Sequence, residues 1–227
     1  MTVGFQASLF DVGPSDLGST DGAVGAGSTP VLGELGATVQ RHVLGAGAWV
    51  DVRPGWITGS DEVFAKLVKT VPWQAERRQM YERVVDVPRL LRFYGEGEPL
   101  PDPLLDAARD ALNAHYHEEL GEHFVTAGMC YYRDGRDSVA WHGDTIGRSR
   151  TEDTMVAIVS LGEARRLSLR PRSGGASQRH SLGFPLGHGD LIVMGGACQR
   201  TWEHAILKTA RPVGPRISVQ FRPRGVR

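Results

Sequence analysis
The chain has 227 residues, enough for one domain with a sizeable core or for a core domain with a tail. Hydrophobic residues make up 41% and charged residues 23%, the values of an ordinary globular protein. Its 26 basic residues are balanced by 26 acidic ones, which argues against a histone-like polyanion binder but leaves room for a local basic face.

The opening MTVGFQASLFDVG has no cationic patch followed by an apolar run, so it does not read as a secretion signal. No apolar stretch approaches the ~20 residues that span a bilayer. With two cysteines only, Cys130 and Cys198, no disulfide framework is implied. A soluble, cytoplasmic protein is expected. Residues 11–30, DVGPSDLGSTDGAVGAGSTP, carry almost no large apolar side chains to offset their ordering entropy. They predict a mobile linker within an N-terminal segment over residues 1–38, ahead of a single domain over 39–227.

Two helices are legible. The first follows Ser60, an N-cap residue, in SDEVFAKLVKTV, with acids in the first turn and Val63, Phe64, Leu67 and Val68 at helical spacing. Between the helices, residues 77–94, RRQMYERVVDVPRLLRFY, read as a strand pair. The second helix lies in PDPLLDAARDALNAHYHEEL, with Asp102 as N-cap, Pro103 at the first helical position and a stripe of Leu104, Leu105, Ala108 and Leu112.

From about residue 124 the texture changes. FVTAGMCYY, DSVAWH, TMVAIVSL, ARRLSLR, DLIVMG, EHAILKT and RISVQF are short β-prone runs separated by Gly-rich turns. They predict an α+β protein with a C-terminal β-sandwich or barrel and helices on one side.

The chemistry gathers in three places. In Trp141-His142-Gly143-Asp144, strand alternation sets His142 and Asp144 on one face. Trp202-Glu203-His204 offers a second imidazole downstream. Two histidines and one carboxylate on one side of a metal make the facial triad of non-haem iron(II) oxygenases, and no thiolates suggest structural zinc. The third place is Arg216-Ile217-Ser218-Val219-Gln220-Phe221-Arg222, where Arg216, Ser218, Gln220 and Arg222 share one strand face. Arg216 there needs an anion if it is buried, and a dicarboxylate can be gripped by a guanidinium fork.

In this order, YRDGRDSVAWHGD, LGHGDLIVM, TWEHAI and PRISVQFRP resemble the AlkB family of iron(II)- and 2-oxoglutarate-dependent nucleic-acid dealkylases, over roughly residues 85–224. QASLF is also similar to the family's N-terminus. The resemblance implies a double-stranded β-helix (jelly-roll) core over about 124–224 and a nucleotide-recognition lid over about 70–98. It implies Fe(II), 2-oxoglutarate and O2 as cofactor and cosubstrates. His142, Asp144 and His204 would be the catalytic iron ligands. Arg216 and Tyr132 would hold the distal carboxylate of 2-oxoglutarate, Ser218 would stand beside it, and Arg222 would lie near the iron-chelating carboxylate. Phe93 or Tyr94, with the His142 ring opposite, would clamp the base. Apart from the resemblance, Arg77, Arg78, Arg83, Arg89 and Arg92 offer either a local basic face for phosphates or a solvated charged hairpin. His188 is read as structural.

The activity implied is removal of an N-alkyl group from a nucleobase as an aldehyde, coupled to decarboxylation of 2-oxoglutarate. The partner would be alkylated DNA, or else RNA, and the protein would act as a monomer. The same residues would also suit an oxygenase of proteins or small molecules, a silent base-binding module, or a zinc or manganese jelly-roll. The chain departs from the family pattern in three places: Ile146 where an acid contacts the base amine, Cys130 where asparagine is frequent, and Ser218 where asparagine is common.

Overall fold
The computed structural model describes residues 29–80, 83–172 and 181–226. QASLF and most of the predicted linker lie outside the described residues. Residues 31–38, expected in the mobile segment, are instead tied to the fold. β1 (Val31–Leu32) pairs with β4 (Ile57–Thr58), and Gly33 exchanges backbone and indole hydrogen bonds with Trp56.

The other elements, in chain order, are β2 (Gln40–Gly45), β3 (Ala48–Arg53), α1 (Asp61–Thr70), β5 (Gln74–Met80), β6 (Arg83–Tyr94) and α2 (Pro103–Leu120). Then follow β7 (Phe124–Tyr132), β8 (Val139–His142), β9 (Val156–Gly162), β10 (Arg165–Pro171), β11 (Leu182–Leu186), β12 (Asp190–Gly196), α3 (Cys198–Thr201), β13 (Trp202–Ile206) and β14 (Arg216–Pro223). An eight-stranded sheet runs β2-β3-β12-β9-β14-β7-β6-β5, and a four-stranded sheet runs β11-β10-β13-β8. From β7 onward the chain alternates between them: β7, β9, β12 and β14 in the large sheet, β8, β10, β11 and β13 in the small one. That alternation is the double-stranded β-helix expected from the sequence.

Side-chain parity divides the apolar residues into two layers. Ile217, Val219 and Phe221 of β14, with Leu191 and Val193 of β12, pack on one side of the large sheet with Leu67 of α1 and Leu105, Ala108 and Leu112 of α2. Val156, Ile158, Leu167, Leu169, Ile192 and Met194 fill the space between the two sheets. The functional face of β14 looks into that second space.

Both predicted helices are present. Asp102 caps α2 by accepting from the Leu104 amide at 3.0 Å, and Gly121 ends it in the left-handed conformation at φ 74°. Ser60 makes no cap bond. Its hydroxyl lies 2.7 Å from His188 Nε2, while His188 Nδ1 accepts from the Gly162 amide at 2.8 Å. Those partners make His188 a structural clamp, as expected. The strand pair at 77–94 is an antiparallel hairpin, β5–β6, that extends the large sheet through β7.

Candidate metal and dicarboxylate site
β8 and β13 are antiparallel neighbours, with His142 opposite His204 in register. Their ring centroids are 4.3 Å apart. The chain then turns through Gly143, where a Cβ would meet the Gln199 carbonyl at 2.5 Å, so a side chain there would break the turn. Asp144 follows, 5% exposed, with its amide donating to Gln199 Oε1 at 3.0 Å. One donor atom each from His142, Asp144 and His204 lie within 4.8 Å of one another, the metal-capable cluster of this kind among the described residues.

Each member of the cluster is oriented by a neighbour. His142 Nδ1 donates to the Ala140 carbonyl at 2.8 Å, which leaves Nε2 facing Asp144 Oδ1 at 3.7 Å. Arg222 donates from Nε and Nη2 to Asp144 Oδ2 at 2.8 and 2.7 Å, which leaves Oδ1 for a ligand on the histidine side. Burial alone would raise the Asp144 pKa, but Arg222 and the two imidazoles outweigh it and bring it down to about 2. Burial, then His142, push His204 down to about 3, so its ring is neutral, as a metal ligand must be.

Beside this cluster, β14 carries Arg216, opposite Tyr132 of β7 in register. Arg216 is 1% exposed. Its Nε donates to Ser160 Oγ at 2.9 Å, and its guanidinium sits 5.4 Å from the centre of the Tyr132 ring. Its Nη1 is buried with no partner. Burial draws the Arg216 pKa below its ordinary value and pushes that of Tyr132 up. A buried cation with an unsatisfied N–H is costly unless an anion completes it. Ser218 and Gln220 line the same pocket, with the Gln220 amide donating to Ser218 Oγ.

The residues predicted to touch substrate part company. On β6, Arg89, Leu91 and Phe93 face one way and Leu90, Arg92 and Tyr94 the other. Tyr94 is 5% exposed within the sheet–helix core, under the Arg92 guanidinium at 4.6 Å, so the expectation that it clamps a base is corrected. Phe93 is 41% exposed, opposite Gly128 on the pocket side of the sheet. Arg89 lines the pocket and donates to the Ser138 carbonyl at 3.0 Å. Arg92 is paired with Glu98. Arg89 and Arg92 therefore do not share one basic face, and the side chains of Arg78 and Arg83 lie outside the described residues.

Three contributors escaped the sequence reading. Arg165, 5% exposed near Tyr132, donates to the carbonyls of Asp134, Asp137 and Leu207 and ties two loops to the pocket floor. Gln199 holds the Asp144 amide. At Gly128 a Cβ would stand 2.9 Å from Arg222 Nη1 and 3.1 Å from Gln220 Oε1, so its bare backbone seats both side chains. ARRLSLR and the short α3 carry no sequence signal for such roles, and Gly128 shows only as a glycine inside a strand.

A jelly-roll whose inner space holds a His-Asp-His cluster next to a buried, incompletely paired arginine is the architecture of a metal-dependent oxygenase that takes an acidic cosubstrate. The 2OG-Fe(II) oxygenase superfamily profile matches residues 93–222. The chain belongs to that superfamily and, within it, to the AlkB family. It is 30% identical to alpha-ketoglutarate-dependent dioxygenase alkB homolog 3 of Bos taurus over 198 residues, covering 76% of this chain and 66% of that protein. Against DNA oxidative demethylase ALKBH2 of Homo sapiens it is 28% identical over 182 residues, covering 72% of this chain and 68% of that one. The chain thus spans about two thirds of the curated relatives it matches. The solved structure of OsALKBH1 superposes with a TM-score of 0.52 at 13% identity, over 81% of this chain and 100% of that one. A Pseudomonas putida prolyl-4-hydroxylase superposes with a TM-score of 0.50 at 15% identity, over 78% and 93% of the two chains, a likeness of fold alone.

Fe(II), 2-oxoglutarate and O2 are the cofactor and cosubstrates of the superfamily. The residues present fit them: two imidazoles facing each other, a carboxylate with one oxygen left over, and an orphaned guanidinium N–H suited to a second molecule's carboxylate.

Proposed function
We propose that this protein oxidatively dealkylates nucleobases, converting an N-methyl base, 2-oxoglutarate and O2 into the free base, formaldehyde, succinate and CO2. The observation that carries the reading is the buried Arg216 with its unpaired Nη1, on the same inner face as His142, Asp144 and His204. The names of the relatives, DNA oxidative demethylase among them, support the substrate class.

When bound, iron and 2-oxoglutarate supply the oxidation, sharing the two atoms of O2 between succinate and the alkyl carbon. In this proposal His142, Asp144 and His204 hold the metal. Arg216 accepts the distal carboxylate, with the Tyr132 hydroxyl and Ser218 beside it. Arg222 keeps Asp144 ionised and turned toward the histidines. Val156, Ile158 and Leu167 wall the pocket with hydrocarbon and exclude water. The base must leave its stack to enter, and the partly exposed His142, Ile146 and Phe93 mark the side from which it comes. We further propose a reducing, cytoplasmic setting, which two buried unpaired thiols support.

The test is product analysis. The full chain, supplied with Fe(II), 2-oxoglutarate and methylated oligonucleotides, is expected to release formaldehyde and succinate in near-equal amounts. Asp144→Ala is expected to abolish both products. Succinate without formaldehyde on every methylated oligonucleotide would refute the dealkylase reading while leaving an oxygenase.

A further inference from the structure
The pocket-facing row of β14 has Arg216 at one end and Arg222, bound to Asp144, at the other. Between them stand two neutral polar side chains that line the same pocket, Ser218 and Gln220. Across the ladder on β7, Cys130 is opposite Ser218 and Gly128 is opposite Gln220. A Cβ on Gly128 would lie 3.1 Å from Gln220 Oε1, so the bare backbone lets the Gln220 side chain lie over β7. There its carboxamide joins two partners. The Cys130 thiol donates to Oε1 at 3.8 Å, and Nε2 donates to Ser218 Oγ. Both partners are buried, Cys130 at 8% and Ser218 at 2% exposure.

A direction follows from these donors and acceptors. A thiol can give its proton only to the oxygen of a carboxamide, which turns the NH2 group toward Ser218. Ser218 Oγ then spends a lone pair on Gln220, and its own proton has no acceptor among the described residues. Turned over, the amide would take that proton and leave only serine lone pairs toward the pocket. Lone pairs repel a carboxylate, whereas a hydroxyl proton binds it. In the order Cys130, Gln220, Ser218 every group accepts and then donates, and bonds arranged this way strengthen one another. The series ends in a proton offered to the pocket in which Arg216 Nη1 is also without a partner.

Resting on the assignment of this pocket to 2-oxoglutarate, we infer that Gln220 is a positioning residue for the cosubstrate. With Cys130 behind it, its carboxamide fixes the Ser218 hydroxyl as a hydrogen-bond donor to a 2-oxoglutarate carboxylate. Ser218 touches the cosubstrate, and Gln220 acts through Ser218. The departures from the family pattern at positions 130 and 218 then belong together. Cysteine and serine are both shorter than asparagine, and the longer Gln220 side chain, laid over Gly128, spans the distance between them.

The experiment is calorimetric titration of the full, Fe(II)-loaded chain with 2-oxoglutarate under argon, in a double-mutant cycle over Gln220→Met and Ser218→Ala. Methionine keeps the length of glutamine and removes both polar groups. Ser218→Ala should weaken binding by about 10-fold, the worth of one hydrogen bond to a charged group. Gln220→Met should weaken it by about 5-fold, since the hydroxyl stays but is no longer oriented. The pair together should lose only about 10-fold, against roughly 50-fold for two independent contacts, because without the hydroxyl the amide has nothing to orient. In succinate formation, the Gln220→Met loss should fall on KM for 2-oxoglutarate rather than on kcat. Should Gln220→Met fail to fold, Gln220→Leu takes its place in the cycle. Wild-type affinity in the Gln220 variant, or additive losses in the pair, would overturn the inference. The titration contains no nucleic acid, so its result does not depend on the dealkylation reading. A wild-type chain that fails to bind 2-oxoglutarate would overturn the assignment of the pocket, and this inference with it.

Discussion

Arg216 is buried like a leucine and charged like a surface residue, with its Nε on Ser160 Oγ and its Nη1 without a partner. Its effects on stability and on binding should therefore have opposite signs. Arg216→Met, of similar length, should leave the ligand-free protein about 1 kcal/mol more stable in urea, since a buried unpaired charge is replaced by hydrocarbon. The same change should weaken 2-oxoglutarate binding by roughly 100-fold, the worth of a charge-assisted bidentate contact. Destabilisation with unchanged cosubstrate affinity would mean that Arg216 is a structural residue. Gly128 is tested similarly. A methyl group there meets the tips of Arg222 and Gln220, which can shift, so Gly128→Ala should fold normally. Iron affinity should nonetheless fall by about 10-fold, because the group that orients a ligand is displaced. Unchanged affinity would show that Arg222 reaches Asp144 by another route. Burial pushes the Cys198 thiol up to about 12, so native protein at pH 8 should resist iodoacetamide at this residue and react only when denatured. Mass spectrometry of the labelled peptide reads the result.

At the scale of elements, the strands that hold the site are the most legible in the sequence. Strict alternation in Arg216–Arg222 predicts which residues face the core and which the pocket, and β14 obeys it. α2 is equally readable from its Asp-Pro start, and Asp102→Ala should cost about 1 kcal/mol in urea denaturation through loss of the cap. The Lys66 pair adds little, being half-exposed. β6 is readable as a strand but not in its phase. Phe93 and Tyr94 are adjacent aromatics, and only pairing with Gly128 and Ala127 of β7 decides which one faces the pocket. β2 and β3 escape notice because Asp51 interrupts an otherwise apolar strand. Its partners, a bidentate Arg41 and the Tyr116 hydroxyl at 3.0 Å, come from β2 and from distant α2, beyond any local pattern. β11 and Arg165 are set likewise by tertiary neighbours.

Across the whole molecule, the two layers of the core divide the labour. Helices and the outer side of the large sheet supply rigidity, while the space between the sheets is half hydrocarbon and half charged groups that need a metal and an acid to be complete. No helix among the described residues is long and apolar enough to cross a membrane. The chain order of His142, Asp144, His204 and Arg216 is visible in the sequence, but their convergence depends on β8 and β13 being neighbours in the small sheet. The central claim is that these side chains hold one ferrous ion beside an arginine that receives 2-oxoglutarate. Anaerobic titration calorimetry tests it directly, with Fe(II) added first and 2-oxoglutarate second, on the wild type and on His204→Ala. One ion per wild-type chain, followed by one 2-oxoglutarate, with both events lost in His204→Ala, is the predicted result. Equal binding of either ligand by the variant would contradict it.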